Sequence, residues 1–156
     1  MDAKQIEQTI REYIPQIVHM SLATCVDNKP WVCEVHFAYD DELNIYFRST
    51  TDRRHCQEIE QNSNVAGNIV TQHFKNQKVR GVYFEGTAEA LGEVDENHPA
   101  YKATEARYGK ASTIQAVSKD AGGPRYYKIT VQNWYLFDAY TSDPPQKYQL
   151  PWKQSN

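Results

Sequence analysis

The sequence lacks the features on which several large classes of protein depend. It has no basic surplus, because 17 Lys and Arg against 20 Asp and Glu give a formal charge of −3, whereas a general nucleic-acid binder is expected to be basic. No stretch approaches the roughly 18 uncharged apolar residues of a membrane span. The N-terminus shows no basic region followed by an apolar run, as a secretory signal would. We therefore expect a cytoplasmic protein that binds neither nucleic acid nor membrane.

Cysteine is scarce, and neither cysteine nor histidine is arranged as in a metal site. The three cysteines are odd in number and show no CxxC spacing, which disfavours a disulfide framework and a cysteine-built zinc site. The five histidines show no HExxH motif and no pairing at the i, i+4 spacing of a helix. We predict reduced, mostly buried thiols and no metal centre.

The length and composition are those of one globular domain. A chain of 156 residues can build one sizeable core, and no repeat, low-complexity segment or linker marks a second domain. Helix patterns occur three times. Isoleucines at every fourth position predict an N-terminal helix over about 2–14. A second helix, with an N-cap among Thr50 to Asp52, is predicted to reach about Asn62. The pattern of residues 95–108 predicts a third helix.

Apolar, β-prone runs separated by turn residues predict about six antiparallel strands, at 17–26, 31–39, 43–49, 65–72, 79–91 and 126–140. The fifth run outreaches a small sheet unless it bends, and strands bend at glycines such as its Gly81 and Gly86. Such curvature favours a mainly β, barrel-like fold with flanking helices. An aromatic tail over about 141–156, with Tyr148 and Trp152, is expected to dock on a ligand, in a partner's site or over an apolar patch.

The most informative segment for function lies at a predicted strand end and helix start. Arginines in the first turn of a helix oppose the positive end of its dipole, at a cost on the order of a few tenths of a kcal/mol each. Together with free backbone N–H groups and hydroxyls they describe a phosphate site, built from Arg48, Ser49, Thr50, Thr51, Arg53 and Arg54. From the residues alone, a solvated basic helix start paired with nearby acids stays open as the alternative.

Three segments resemble the pyridoxamine 5′-phosphate oxidase-like flavoproteins, in that family's order and spacing. Leu43 to Thr50, followed by Arg54 and His55, is similar to the family's FMN-phosphate stretch. Residues 30–39 are similar to its strand along the isoalloxazine ring, and 80–86 to its long second-half strand. Family members are split β-barrels with FMN at a homodimer interface. The resemblance therefore implies a single FMN-binding split-barrel domain over residues 1–156, a homodimer and an oxidoreductase.

The resemblance also implies nine FMN-contacting residues: Glu34, Val35, His36, Arg48, Ser49, Thr50, Arg53, Arg54 and His55. The first three would lie closest to the ring and act largely through backbone groups. Arg48 and Ser49 would reach the ribityl chain or the phosphate, and the last three would hold the phosphate. His55 stands where the family typically has lysine, and an imidazole is mostly uncharged near pH 7. Arg53, in place of a serine, is expected to compensate.

Departures from the family pattern argue against vitamin B6 as the substrate. The oxidase itself has Arg and Lys where this chain has Cys33 and Ala38, and that lysine helps to hold the substrate phosphate. The flavin-contacting Gln of the long strand is Gly81 here, and the Tyr-x3-Arg-x3-Ser substrate motif is absent. We expect FMN binding with an unidentified substrate and no assigned catalytic residue. Two alternatives stay open: a non-catalytic flavin- or haem-binding protein for sensing, storage or stress response, and a deazaflavin in place of FMN.

Overall fold

A computed structural model describes residues 1–110 and 123–152. In these residues the helices are α1 (Ala3–Tyr13), α2 (Arg54–Gln61) and α3 (Pro99–Tyr108), and the strands are β1 (His19–Val26), β2 (Lys29–His36), β3 (Ala38–Tyr39), β4 (Ile45–Thr50), β5 (Asn64–Ile69), β6 (Arg80–Ala90), β7 (Pro124–Asp138) and β8 (Gln146–Pro151). A short 3-10 helix, Ile14–Gln16, follows α1. None of the three described α-helices combines the length and the apolar character that crossing a membrane requires.

The strands form one antiparallel sheet in the order β2-β1-β5-β6-β7-β4-β3, with β8 paired to β7. The sheet curls until β2 and β4, near its two ends, contact each other. This confirms the predicted mainly β barrel with flanking helices. The described residues form eight strands rather than the predicted six, because the predicted strand 31–39 breaks at Phe37 into β2 and β3 and the tail adds β8.

The pairing of the long strand β6 with β7 is irregular at one of the two glycines of β6. Its pairing with β7 shifts register between Glu85 and Gly86, and a Cβ atom at Gly86 would lie 2.2 Å from the carbonyl oxygen of Thr130. At Gly81 the pairing continues without a shift. The close approach of two backbones therefore requires glycine at position 86, and the extra local twist of a bulge helps the sheet to curl.

The tail packs on the body of the protein. Trp152 donates its indole N–H to the carbonyl of Glu42 at 2.8 Å, and its backbone N–H bonds the carbonyl of Gln132 at 2.8 Å. The guanidinium of Arg11 lies 5.8 Å from the indole ring. The described part of the tail therefore covers the turn before β4 and one end of α1; residues 153–156 lie outside the described residues.

Candidate functional site

A cleft of about 770 Å³ opens where the two ends of the curled sheet meet. Its walls come from the ends of β2 and β4, from β3, from the first residues of β1 and β7, and from the first turn of α2 and the last turns of α3. We call it the seam cleft. Its volume lies in the range of roughly 300–1,000 Å³ that is usual for small-molecule sites.

Among the residues that the structure describes, β2 and β4 each present at the seam cleft a stretch of backbone edge without a strand partner. In residues 1–110 and 123–152, β2 pairs with β1 alone, and β3 pairs with β4 at Ile45 and Tyr46 alone. In the described part of the chain, the outer edge of β2 and the last residues of β4 therefore offer N–H and C=O groups to water or to a ligand. Such an edge suits a flat heterocycle that carries donors and acceptors on its rim.

One end of the cleft collects basic and hydroxyl side chains. Five of the predicted site residues line it, and we call them the anion end: Arg48, Ser49, Thr50, Arg53 and His55. The His55 Nε2 atom lies 2.9 Å from the Ser49 hydroxyl, and the Arg53 Nε–H donates to the Thr50 hydroxyl at 3.2 Å. The guanidinium of Arg48 lies 5.8 Å from the ring centre of Tyr126.

The predicted N-cap of α2 is wrong. The structure places the cap one residue later, at Arg53, which makes no side-chain capping bond. The reason is a turn in which the Arg53 N–H bonds the carbonyl of Thr50 at 3.1 Å, so that the hydroxyl of Thr50 meets the arginine side chain instead of the helix. The first N–H groups of α2 therefore lack a side-chain cap, which favours an anion at this position.

Burial keeps His55 largely uncharged. Its residue is 8 % exposed, and burial lowers the pKa of its imidazole below the usual value, with a further lowering by the charge of Arg53 and an opposing effect of Glu58. The permanent positive charges of the anion end are therefore those of Arg48 and Arg53. This arrangement leaves His55 able to gain a proton when an anion arrives.

Arg54 is the one predicted site residue that does not line the seam cleft. Its Nε–H donates to Glu58 Oε1 at 2.7 Å, and its guanidinium lies 4.4 Å from the ring centre of Trp31. Glu58 also accepts a hydrogen bond from the hydroxyl of Thr24. The hydrogen bonds from Thr24 and Arg54 lower the pKa of the Glu58 carboxyl. The predicted contact of Arg54 with FMN stays a prediction.

The other end of the cleft carries two imidazoles that face each other across the β1–β2 hairpin. His19 pairs with His36 in the strand register, their rings stack at 5.1 Å between centroids, and the ring of Tyr108 stacks on His36 at 6.0 Å. We call these three residues the histidine end. The predicted residues Glu34 and Val35 lie beside it and line the cleft.

His19 and Tyr108 were missed in the sequence interpretation, for different reasons. A two-residue turn at Asp27 and Asn28, between the strands predicted at 17–26 and 31–39, places His19 opposite His36, so the spacing of the two histidines about this turn is a usable signal. Tyr108 comes from the far end of α3, and nothing local in the sequence connects it with the hairpin.

The C-terminal end of α3 is hydrogen-bonded to the backbone beside β1 and β2, next to the histidine end. The Tyr108 hydroxyl lies 2.6 Å from the carbonyl oxygen of Phe37 and 3.1 Å from that of Val18. The guanidinium of Arg107 donates to the carbonyl of Ile17 and lies 4.5 Å from the ring centre of Phe37. These contacts fix the position of the Tyr108 ring at the cleft wall.

Comparisons with known proteins agree with this architecture. The family model described as pyridoxamine 5′-phosphate oxidase matches residues 6–138, and no curated protein matches the sequence. Among solved structures, the chain is similar to the haem storage protein HutZ from Vibrio cholerae, with 18 % identity, a TM-score of 0.66 and coverage of 85 % of this chain and 93 % of that one.

Two further solved structures are similar over most of this chain. General Stress Protein 26 from Bacillus anthracis has 18 % identity and a TM-score of 0.64, with 94 % of this chain and 99 % of that chain covered. A haem binding protein from Mycobacterium smegmatis has 16 % identity and a TM-score of 0.69, with 97 % of this chain and 58 % of that chain covered. At such identities the likeness shows the fold alone.

Proposed function

Because this chain belongs to the pyridoxamine 5′-phosphate oxidase family, we propose that it is a flavoprotein that binds FMN in the seam cleft and acts as an oxidoreductase on a small molecule. The anion end is the observation that carries this proposal. Two arginines, two hydroxyls and the uncapped start of α2 converge on one side of the cleft. A phosphate dianion satisfies all three kinds of donor at once.

The rest of the cleft suits the remaining parts of FMN. From Tyr46 to Thr50 the strand β4 spans about 13 Å at roughly 3.3 Å per residue, which separates a phosphate at the anion end from a ring near Glu34 to His36. The open edge of β2 offers backbone groups to the rim of that ring. When bound, FMN supplies the hydride and electron transfer. The chain's own residues hold the phosphate, orient the ring and limit the access of water.

The proposal includes a homodimer in which β2 contributes to the interface. β2 is an edge strand of the sheet, and it exposes two large apolar side chains, Trp31 at 39 % and Val32 at 60 %. An open strand edge with exposed apolar side chains is a surface that native proteins usually cover. A second copy would cover it next to the seam cleft and complete the flavin site.

A non-catalytic haem-binding role is the second candidate. One observation favours it: His19 and His36 both line the cleft, and histidine is a common ligand of haem iron. The descriptions of two structural neighbours, a haem storage protein and a haem binding protein, point the same way.

Paired titrations with FMN and riboflavin test the primary proposal. Riboflavin lacks the phosphate, so the ratio of the two dissociation constants isolates the contribution of the anion end. We expect FMN to bind at least tenfold more tightly than riboflavin, because a charge-assisted hydrogen bond contributes roughly 1.5–3 kcal/mol. Equal affinities would contradict a phosphate site, and a wild-type protein that binds neither flavin would contradict the whole proposal.

A further inference from the structure

Within the described residues, two of the five histidines make no hydrogen bond through either ring nitrogen. His55 bonds Ser49, His73 accepts from the Arg80 N–H at 3.4 Å, and His98 accepts from the Ala100 N–H at 3.1 Å. Over residues 1–110 and 123–152, no hydrogen bond uses a ring nitrogen of His19 or His36. These two are also the histidines of the cleft end opposite the anion end.

The two imidazole rings stack through their faces, which leaves their edges available to a ligand. The rings of His19 and His36 stack with an angle of 20° between their planes, and Tyr108 covers the other face of the stack at His36. Both histidines are exposed and line the cleft. Stacking therefore holds two polar ring edges side by side, with 5.1 Å between ring centres.

A pair of imidazole edges at this spacing matches a particular ligand group. A neutral imidazole carries one N–H donor, so the pair offers two donors on rings whose centres are 5.1 Å apart. The two carbonyl oxygens of an imide, which flank one N–H, are about 4.5 Å apart by standard bond lengths. A metal ion fits less well, because within the described residues no third His, Cys, Asp or Glu joins the pair.

We propose that His19 and His36 recognise an imide edge, the carbonyl, N–H, carbonyl sequence of a pyrimidine-dione ring such as that of a flavin. Each imidazole donates to one carbonyl oxygen. The N–H between them finds its acceptor among the unpaired carbonyl groups on the outer edge of β2. This inference rests on the proposed flavin function and adds the residues that select the ring rather than the phosphate.

The test compares His19→Ala and His36→Ala with His73→Ala, which removes an imidazole outside the cleft. Each protein is titrated with riboflavin and with FMN. We expect either cleft variant to weaken both ligands by the same factor, about three- to tenfold for one hydrogen bond, while the ratio between FMN and riboflavin stays at the wild-type value. The His73 variant should bind both flavins as the wild type does.

Infrared spectra of bound riboflavin with isotope-labelled carbonyl groups supply a readout that a structural role would not move. Hydrogen bonds lower the carbonyl stretching frequencies, and each cleft variant should raise one of them toward the value in free riboflavin. Wild-type carbonyl frequencies and affinities in both cleft variants would overturn this inference while leaving flavin binding intact. A wild-type protein that binds no flavin would instead overturn the proposed function.

Discussion

In the proposed phosphate site, His55 is expected to make the binding of the ligand depend on pH. Burial, and then the charge of Arg53, lowers the pKa of the free imidazole, whereas a dianion bound beside it favours the imidazolium form. Binding therefore takes up a proton. The FMN affinity is expected to rise as the pH falls through the pKa of His55 in the complex, and to level off below the pKa of the free protein.

This dependence is measured as the ratio of FMN to riboflavin affinity between pH 5.5 and 8.5. A His55→Gln variant removes the contribution of the His55 proton to this pH dependence. The contribution from ionisation of the FMN phosphate is the same in the variant and the wild type. We expect the ratio to depend less on pH in the variant than in the wild type. Identical pH profiles for the two proteins would show that His55 does not contact the phosphate.

The two adjacent arginines at the start of α2 provide a matched pair of variants. Arg53 lines the seam cleft, while Arg54 is paired with Glu58 and lies over Trp31. We expect Arg53→Ala to weaken FMN by roughly 1.5–3 kcal/mol with little change for riboflavin. Arg54→Ala should cause a smaller change in the ratio of the two affinities. A larger loss of FMN selectivity in Arg54→Ala than in Arg53→Ala would contradict this expectation and indicate Arg54 as the main phosphate ligand.

At the scale of the elements, the bulge between β6 and β7 rests on one glycine. A methyl group at Gly86 would meet the backbone of Thr130 at 2.2 Å, whereas one at Gly92 would meet nothing within 4 Å. We expect Gly86→Ala to lower the free energy of unfolding by roughly 1–3 kcal/mol, as overpacking does. Gly92→Ala should leave it within about 0.5 kcal/mol. Urea unfolding of both variants checks this, and equal stabilities would show that the bulge tolerates a side chain.

Elements defined by local patterns could be predicted, and those defined by distant pairing could not. The stripe of isoleucines predicts α1 to within a residue or two, and the apolar runs at 17–26 and 31–39 predict the strands that pair as β1 and β2. The strand β8 was expected only as a docking tail, because its formation depends on pairing with residues 133–138 of β7. The N-cap of α2 was misplaced because the preceding turn, rather than the nearest hydroxyl, decides where the helix begins.

At the scale of the whole molecule, the site is a consequence of how the sheet closes. The resemblance identified the cleft residues of β2 and β4, because each set is a short continuous segment of the sequence. It did not identify the cleft residues of α3, or the direction of the Arg54 side chain. Those depend on how helices pack on the curled sheet, and neighbouring residues on a helix point in directions about 100° apart.

The open edge of β2 predicts how the oligomeric state depends on Val32. A lysine on an edge strand disfavours pairing with another strand, so Val32→Lys should shift the protein from the proposed dimer to a monomer. FMN should then bind more weakly, because the proposed partner completes the site. Light scattering after size-exclusion chromatography measures the mass, and Lys29→Ala on the same strand serves as the control. A wild-type monomer that binds FMN would contradict the proposed interface.

The most direct test of the account is the visible absorbance spectrum of the freshly purified protein, followed by mass identification of the molecule that heat denaturation releases. The account predicts the two-banded spectrum of a flavin and the release of FMN. Release of a deazaflavin would keep the site and change its cofactor, and a Soret band would establish the haem candidate instead. A colourless protein that takes up no FMN when supplied in excess would contradict the central claim and leave the anion end a solvated basic turn.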